Sequence, residues 1–111
     1  MDNLQALAPA STEQNPTPEQ LASWEKQYPG LKKVEVEDGK VVCFRRPTRQ
    51  IVEVANTILS KTHSPQKYAD VLLANCQLNW QKATAEDDEL YFALVPLVDG
   101  FISAKAAQLV N

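Results

Sequence analysis

Glycine is scarce in this chain, at positions 30, 39 and 100 of 111 residues. No glycine-rich loop exists to cradle a phosphate group. Histidine occurs once, as His63, and cysteine twice, as Cys43 and Cys76, with no Cys-x-x-Cys pair. That set lacks the spacing of a zinc site and does not make a disulfide framework, so two reduced thiols are expected. A cysteine–histidine nucleophile pair would need a third group to orient the imidazole, and none is evident. Long apolar runs are also missing. The longest, residues 90–98, falls far short of the ~20 residues of a membrane span. The start, Met1, Asp2, Asn3, has no basic residue ahead of an apolar stretch, so a secretory signal is not expected and a cytoplasmic location is.

What remains is an ordinary globular composition, 44% hydrophobic and 23% charged, long enough for one domain with one core. Residues 1–16, rich in proline, serine, threonine and asparagine, read as a flexible N-terminal tail. Residues 17–111 read as a single α+β domain: one antiparallel β-hairpin packed against three to four α-helices. Thr17, Pro18 and Gln20 form a capping box with proline at the first helical position. Leu21, Trp24 and Tyr28 share one face of that helix, which Pro29 and Gly30 terminate.

Residues 34–47 carry the hairpin, with Asp38 and Gly39 at the turn. A two-residue turn sets Glu37 against Lys40, Val36 against Val41 and Val34 against Cys43. Val34, Val36, Val41 and Cys43 then point inward, while Lys33, Glu35, Val42 and Phe44 point outward. Pro47 and Thr48 open a helix with Ile51, Val54, Ala55, Ile58 and Leu59 on one stripe. Ser64 and Pro65 open another, with Tyr68, Val71 and Leu72 inward. Residues 75–83 read as a loop. Thr84 and Asp87 read as the cap of a last helix that reaches Leu109 and kinks at Pro96. The carboxylates of Glu86, Asp87, Asp88 and Glu89 suit a helix start better than a cation site, because alternating ligand spacing and glycine are missing.

The chain's net charge of −3 argues against general nucleic-acid binding. The basic residues are nevertheless concentrated: residues 31–50 hold six basic and three acidic side chains, net +3, and residues 84–111 hold one basic and five acidic, net −4. Arg45, Arg46 and Arg49 form the one basic cluster. Phe44, read as outward beside Arg45 and Arg46, suits a partner site. Trp80 sits in a polar stretch and is either an anchor folded onto the core, the preferred reading, or an exposed binding residue. Phe44, Arg45, Arg46, Arg49 and Trp80 are therefore the candidate partner-binding residues.

Several pieces together resemble a known group. A helix containing Trp24 leads into Glu37, Asp38, Gly39, Lys40 and Val41, followed by Arg46 and Pro47. An amphipathic helix leads to Leu72, Leu73, Ala74, Asn75 and Cys76, then to the acidic run from Glu86 to Glu89. Over residues 17–109 this is similar to the tail assembly chaperones of tailed bacteriophages and prophages. Pro96 departs from that pattern, which has a continuous last helix. The resemblance implies a non-enzymatic protein without cofactor or metal. It would act in the host cytoplasm during virion assembly and bind helical segments of a protein such as the tape-measure protein. The alternatives are a small nucleic-acid-binding regulator using Arg45, Arg46 and Arg49, or a minor structural component of a phage particle.

Overall fold

The computed structural model describes residues 12–102, 107, 109 and 110. Five α-helices and a two-stranded antiparallel sheet make a small α+β fold. In order these are α1 (Pro18–Gln27), β1 (Lys32–Glu35), β2 (Val41–Phe44), α2 (Arg49–Thr62), α3 (Pro65–Cys76), α4 (Gln81–Glu86) and α5 (Asp88–Leu94), followed by a 3-10 run, Val95–Phe101. Among the described residues no helix is long and apolar enough to cross a membrane.

The helix starts follow local chemistry. Thr17, Thr48 and Ser64 each accept a hydrogen bond from the third residue of the helix they cap, which satisfies one orphan N–H per helix. Pro18 and Pro65 occupy first-turn positions where a missing N–H costs nothing. Asp87 caps α5, accepting from the Glu89 and Leu90 amides. The expected long last helix is therefore divided. Asp87 ends α4 and starts α5, and Pro96 sits in the first turn of the 3-10 run. Proline cannot donate to the α-helical ladder and crowds the carbonyl four residues back, so the chain tightens after Leu94 instead of continuing. The expectation for residues 103–106 and 108 lies outside the described residues.

The hairpin register differs from expectation by one residue. Lys32 pairs with Phe44, Lys33 with Cys43, Val34 with Val42 and Glu35 with Val41. The loop has three residues: the Gly39 amide donates to Val36 O at 2.9 Å and the Val36 amide to Lys40 O at 2.9 Å. Gly39, at φ +97°, takes the left-handed position of a bulged turn. Asp38 stiffens it by accepting from the Lys40 amide at 3.1 Å and its ammonium at 2.6 Å. Because side chains alternate, the slip moves every residue of β2 to the other face. Val42 and Phe44 enter the helical core beside Val34 and Val36. Val41 and Cys43 turn with Lys33 and Glu35 toward α1, whose Leu21 borders the same shallow cleft. The expected inward set is thus half right. Val34 and Val36 are half-buried on the core face, and Cys43 is fully buried on the opposite one.

The core joins β2, α2, α3, α5 and the 3-10 run. Phe44 stacks on Phe101 with centroids 4.2 Å apart and planes 24° apart. Leu72, Leu73 and Cys76 of α3, Leu90 and Leu94 of α5, and Val98 complete it. On α2 only Ala55 is buried. Val54, assigned to the inward stripe, is 48% exposed.

Residues 76–79 close the outer edge of β2. The Arg45 amide donates to Cys76 O and the Leu78 amide to Cys43 O, both at 2.9 Å. Asn79, fully buried, then substitutes for a strand. Its Oδ1 accepts from the Cys43 amide at 2.9 Å and its Nδ2 donates to Val41 O at 2.9 Å and Gln14 O at 3.0 Å. Of the expected tail, residues 1–11 lie outside the described residues. Residues 12–15 are bound to the domain: Asn15 bridges Gly39 O, the Val41 amide and the Trp80 indole N–H, and Glu13 accepts from the Lys82 and Ala83 amides at the start of α4.

Candidate functional site

The two turns that flank the hairpin meet in one open cleft of about 450 Å³. Tyr28 and Pro29 end α1 on one side. Arg45, Arg46, Pro47 and Thr48 lead from β2 into α2 on the other. Both walls are fixed by local chemistry. Tyr28 caps α1 by donating its amide to Trp24 O, and Gly30, at φ +82°, makes the reversal into β1. Pro47 stops the strand and Thr48 caps α2.

Arg45 is half-buried, with its guanidinium 5.6 Å from the Tyr28 ring centroid, within cation–π range. Arg46 lies against Gly30. Glycine is needed there for its φ of +82°, and an added Cβ would come within 2.6 Å of Nε of the exposed Arg46 side chain, which would have to shift. Among the described residues the one ion pair is Lys40–Asp38. Arg45 and Arg46 therefore bring two positive charges into the cleft with no carboxylate bound to either. An aromatic face, two rigid prolines and two guanidinium-bearing residues line this cleft, and a guanidinium can hold a carboxylate or phosphate bidentately while the ring covers an apolar neighbour.

The other candidates separate from this site. Phe44 is in the core, 0% exposed and stacked on Phe101; its reading as a surface contact is corrected. The physical reason is the three-residue turn, which inverts the faces of β2. Arg49 is exposed in the first turn of α2 but does not border the cleft. Trp80 lies at the far end of the 76–79 segment and is half-buried against the core. Its φ of +59° is an outlier for a bulky residue. The conformation is held by the backbone N–H donating to Thr12 O at 2.7 Å, by the indole N–H donating to Asn15, and by the Lys40 ammonium 5.1 Å above the ring. These contacts make it an anchor.

The two cysteines are free thiols buried in the domain. Both are 0% exposed, and burial pushes each from the ordinary 9.0 to about 11, against smaller lowering by Lys33 for Cys43 and by Arg45 for Cys76. His63 is exposed and serves as the left-handed C-cap of α2, at φ +55°. Among the described residues no group of three or more His, Cys, Asp or Glu side chains is placed to hold a metal ion.

Sequence reasoning found the arginines, which are adjacent in the chain, but missed Tyr28 and Gly30 as the opposite wall. The Tyr-Pro-Gly stop was the available signal. It marks a reversal that returns the chain toward β2, and so places Tyr28 near the strand's exit. Comparison with protein-family models, with curated proteins and with solved structures yields no match to this chain.

Proposed function

We propose that this chain is a non-enzymatic adaptor of the tail assembly chaperone kind. It would hold acidic residues of a helical protein partner, such as a tape-measure or other tail protein, in the cleft between Tyr28 and Arg46. The observation that carries the reading is Arg45 beside the Tyr28 ring with Arg46 lining the same cleft, and no carboxylate bound to either among the described residues. Arginine and tyrosine are the residues that dominate protein–protein binding sites. Fixed by Pro29, Gly30 and Pro47, they lose little freedom when a partner binds. The buried, proton-retaining thiols are consistent with a binding role rather than covalent catalysis.

The test is co-expression of the tagged chain with a candidate helical tail protein, followed by titration calorimetry of the purified pair. Arg45→Glu with Arg46→Glu should abolish capture while the circular dichroism spectrum is unchanged. Undiminished capture by the double variant would remove the cleft from the mechanism. The same two arginines suit phosphate, so a mobility-shift assay at moderate salt addresses the nucleic-acid alternative. The net charge of −3 disfavours it.

A further inference from the structure

The two edges of the hairpin are treated differently, and the difference points to a partner. In an antiparallel ribbon alternate residues direct their backbone groups to the neighbouring strand and the residues between direct theirs away. The Val36 amide donates to Lys40 O. With the observed register, Lys32, Val34 and Val36 therefore face β2, and Lys33 and Glu35 turn their N–H and C=O groups outward. The outward set on β2 is Val41, Cys43 and Arg45. Every one of these is engaged, by Asn15, Asn79, Leu78 and Cys76. On β1, no described residue hydrogen-bonds to the backbone of Lys33 or Glu35, and both side chains are exposed. One edge is closed with care and the other is open, the arrangement that invites strand addition.

We propose that β1 is the seam of a twofold dimer, in which it pairs antiparallel with β1 of a second copy in the register centred on Val34. Charge selects both the occupant and the register. Centring on Lys33 sets lysine against lysine, and centring on Glu35 sets glutamate against glutamate. Centring on Val34 sets Lys33 of each copy opposite Glu35 of the other, twice, with no like-charged pair. Opposite charges across strands stabilise the pairing and like charges oppose it. In that register the outward backbone groups of Lys33 meet those of Glu35 in the hydrogen-bonded positions. Val34, half-buried on the core face, meets its own copy at the closer, non-hydrogen-bonded position. The pattern Lys-Val-Glu is thus complementary to itself under a twofold axis, as an isologous interface requires. Strands of four residues make a small seam, so the dimer forms and dissociates with concentration rather than being obligate.

The test uses the full chain and two single variants, Lys33→Glu and Glu35→Lys, both at exposed positions. Sedimentation velocity from micromolar to millimolar concentration should show a monomer–dimer equilibrium for the natural sequence. Each variant alone turns both cross-strand pairs repulsive and should associate about tenfold or more weakly. An equimolar mixture restores both attractions and should form the heterodimer. Amide exchange should slow at Lys33 and Glu35 as concentration rises and stay constant at Val34 and Val36. A natural sequence that is monomeric throughout would overturn the proposal. So would a dimer untouched by both variants, or variants that fail to pair when mixed.

Discussion

Replacing Asn79 by alanine tests how the edge of β2 is closed. The side chain is fully buried and makes three hydrogen bonds, one from the Cys43 amide and two to the Val41 and Gln14 carbonyls. Alanine leaves the Cys43 N–H without a partner at a residue that is 0% exposed. An unsatisfied buried donor costs about 1–3 kcal/mol. The two carbonyls lie closer to solvent and have second lone pairs, so together they add roughly 1 kcal/mol. The expected total is about 2–4 kcal/mol, a large part of the ~5–15 kcal/mol that holds a domain of this size. At roughly 4–8 °C per kcal/mol near this chain length, the thermal midpoint should fall by about 8–32 °C.

Asn15 supplies the control. It also makes three hydrogen bonds, to Gly39, Val41 and Trp80, but it is exposed and water can replace them. Asn15→Ala should cost under about 1 kcal/mol. Asn79→Asp keeps the acceptor, loses both donors and sets a carboxylate against two carbonyls, so it should be at least as damaging as alanine at neutral pH. Urea titrations followed by far-ultraviolet circular dichroism give all three values. If Asn79→Ala and Asn15→Ala agree within about 0.5 kcal/mol, burial is not what gives Asn79 its weight and the reasoning fails.

Phe44→Ala should open a cavity beneath Phe101 and cost about 3–5 kcal/mol; an unchanged urea midpoint would contradict the stacked geometry. Both thiols keep their protons more tightly folded than unfolded, at about 11 against 9.0. Their contribution to stability is therefore complete below pH 9 and is lost as pH rises toward 11, a decline that urea midpoints measured across that window should follow. Gly30→Ala should cost about 1–2 kcal/mol for its left-handed backbone and displace Arg46 from its present place, which partner titration would register as weaker binding.

Where the signal was local, the sequence was readable. The Thr17–Pro18, Pro47–Thr48 and Ser64–Pro65 pairs start helices because a hydroxyl cap and a fixed φ act within one turn. The basic cluster was legible because Arg45 and Arg46 are neighbours. The closure of β2 was not, since Asn79 reaches partners 36 to 65 residues away and a polar residue between Leu78 and Trp80 has no periodicity to betray it. The docking of residues 12–15 was hidden for the same reason: its proline-, serine- and threonine-rich surroundings look like a tail. The acidic run reads as one helix start, and Asp87 does cap α5 with Asp88 and Glu89 in its first turn, but Glu86 belongs to the end of α4.

The hairpin turn shows how one local ambiguity reaches the candidate site. Asp38 and Gly39 fit a two-residue loop and a three-residue bulged loop equally well by composition. The choice decides whether Phe44 or Arg45 faces the core, because the two alternate along one strand. In the two-residue register Arg45 would follow Cys43 inward, and a guanidinium would lie where Phe101 now stacks. The bulged loop puts Phe44 there instead, so packing supplies a tertiary reason for a turn that the local sequence leaves open. Arg45 is then forced to the opposite face, and Tyr28 waits there because Pro29 and Gly30 turn the chain back at that point. The charge of the cleft is in this sense set by the core. Arg45 stands over Tyr28 because Phe44 is needed under Phe101.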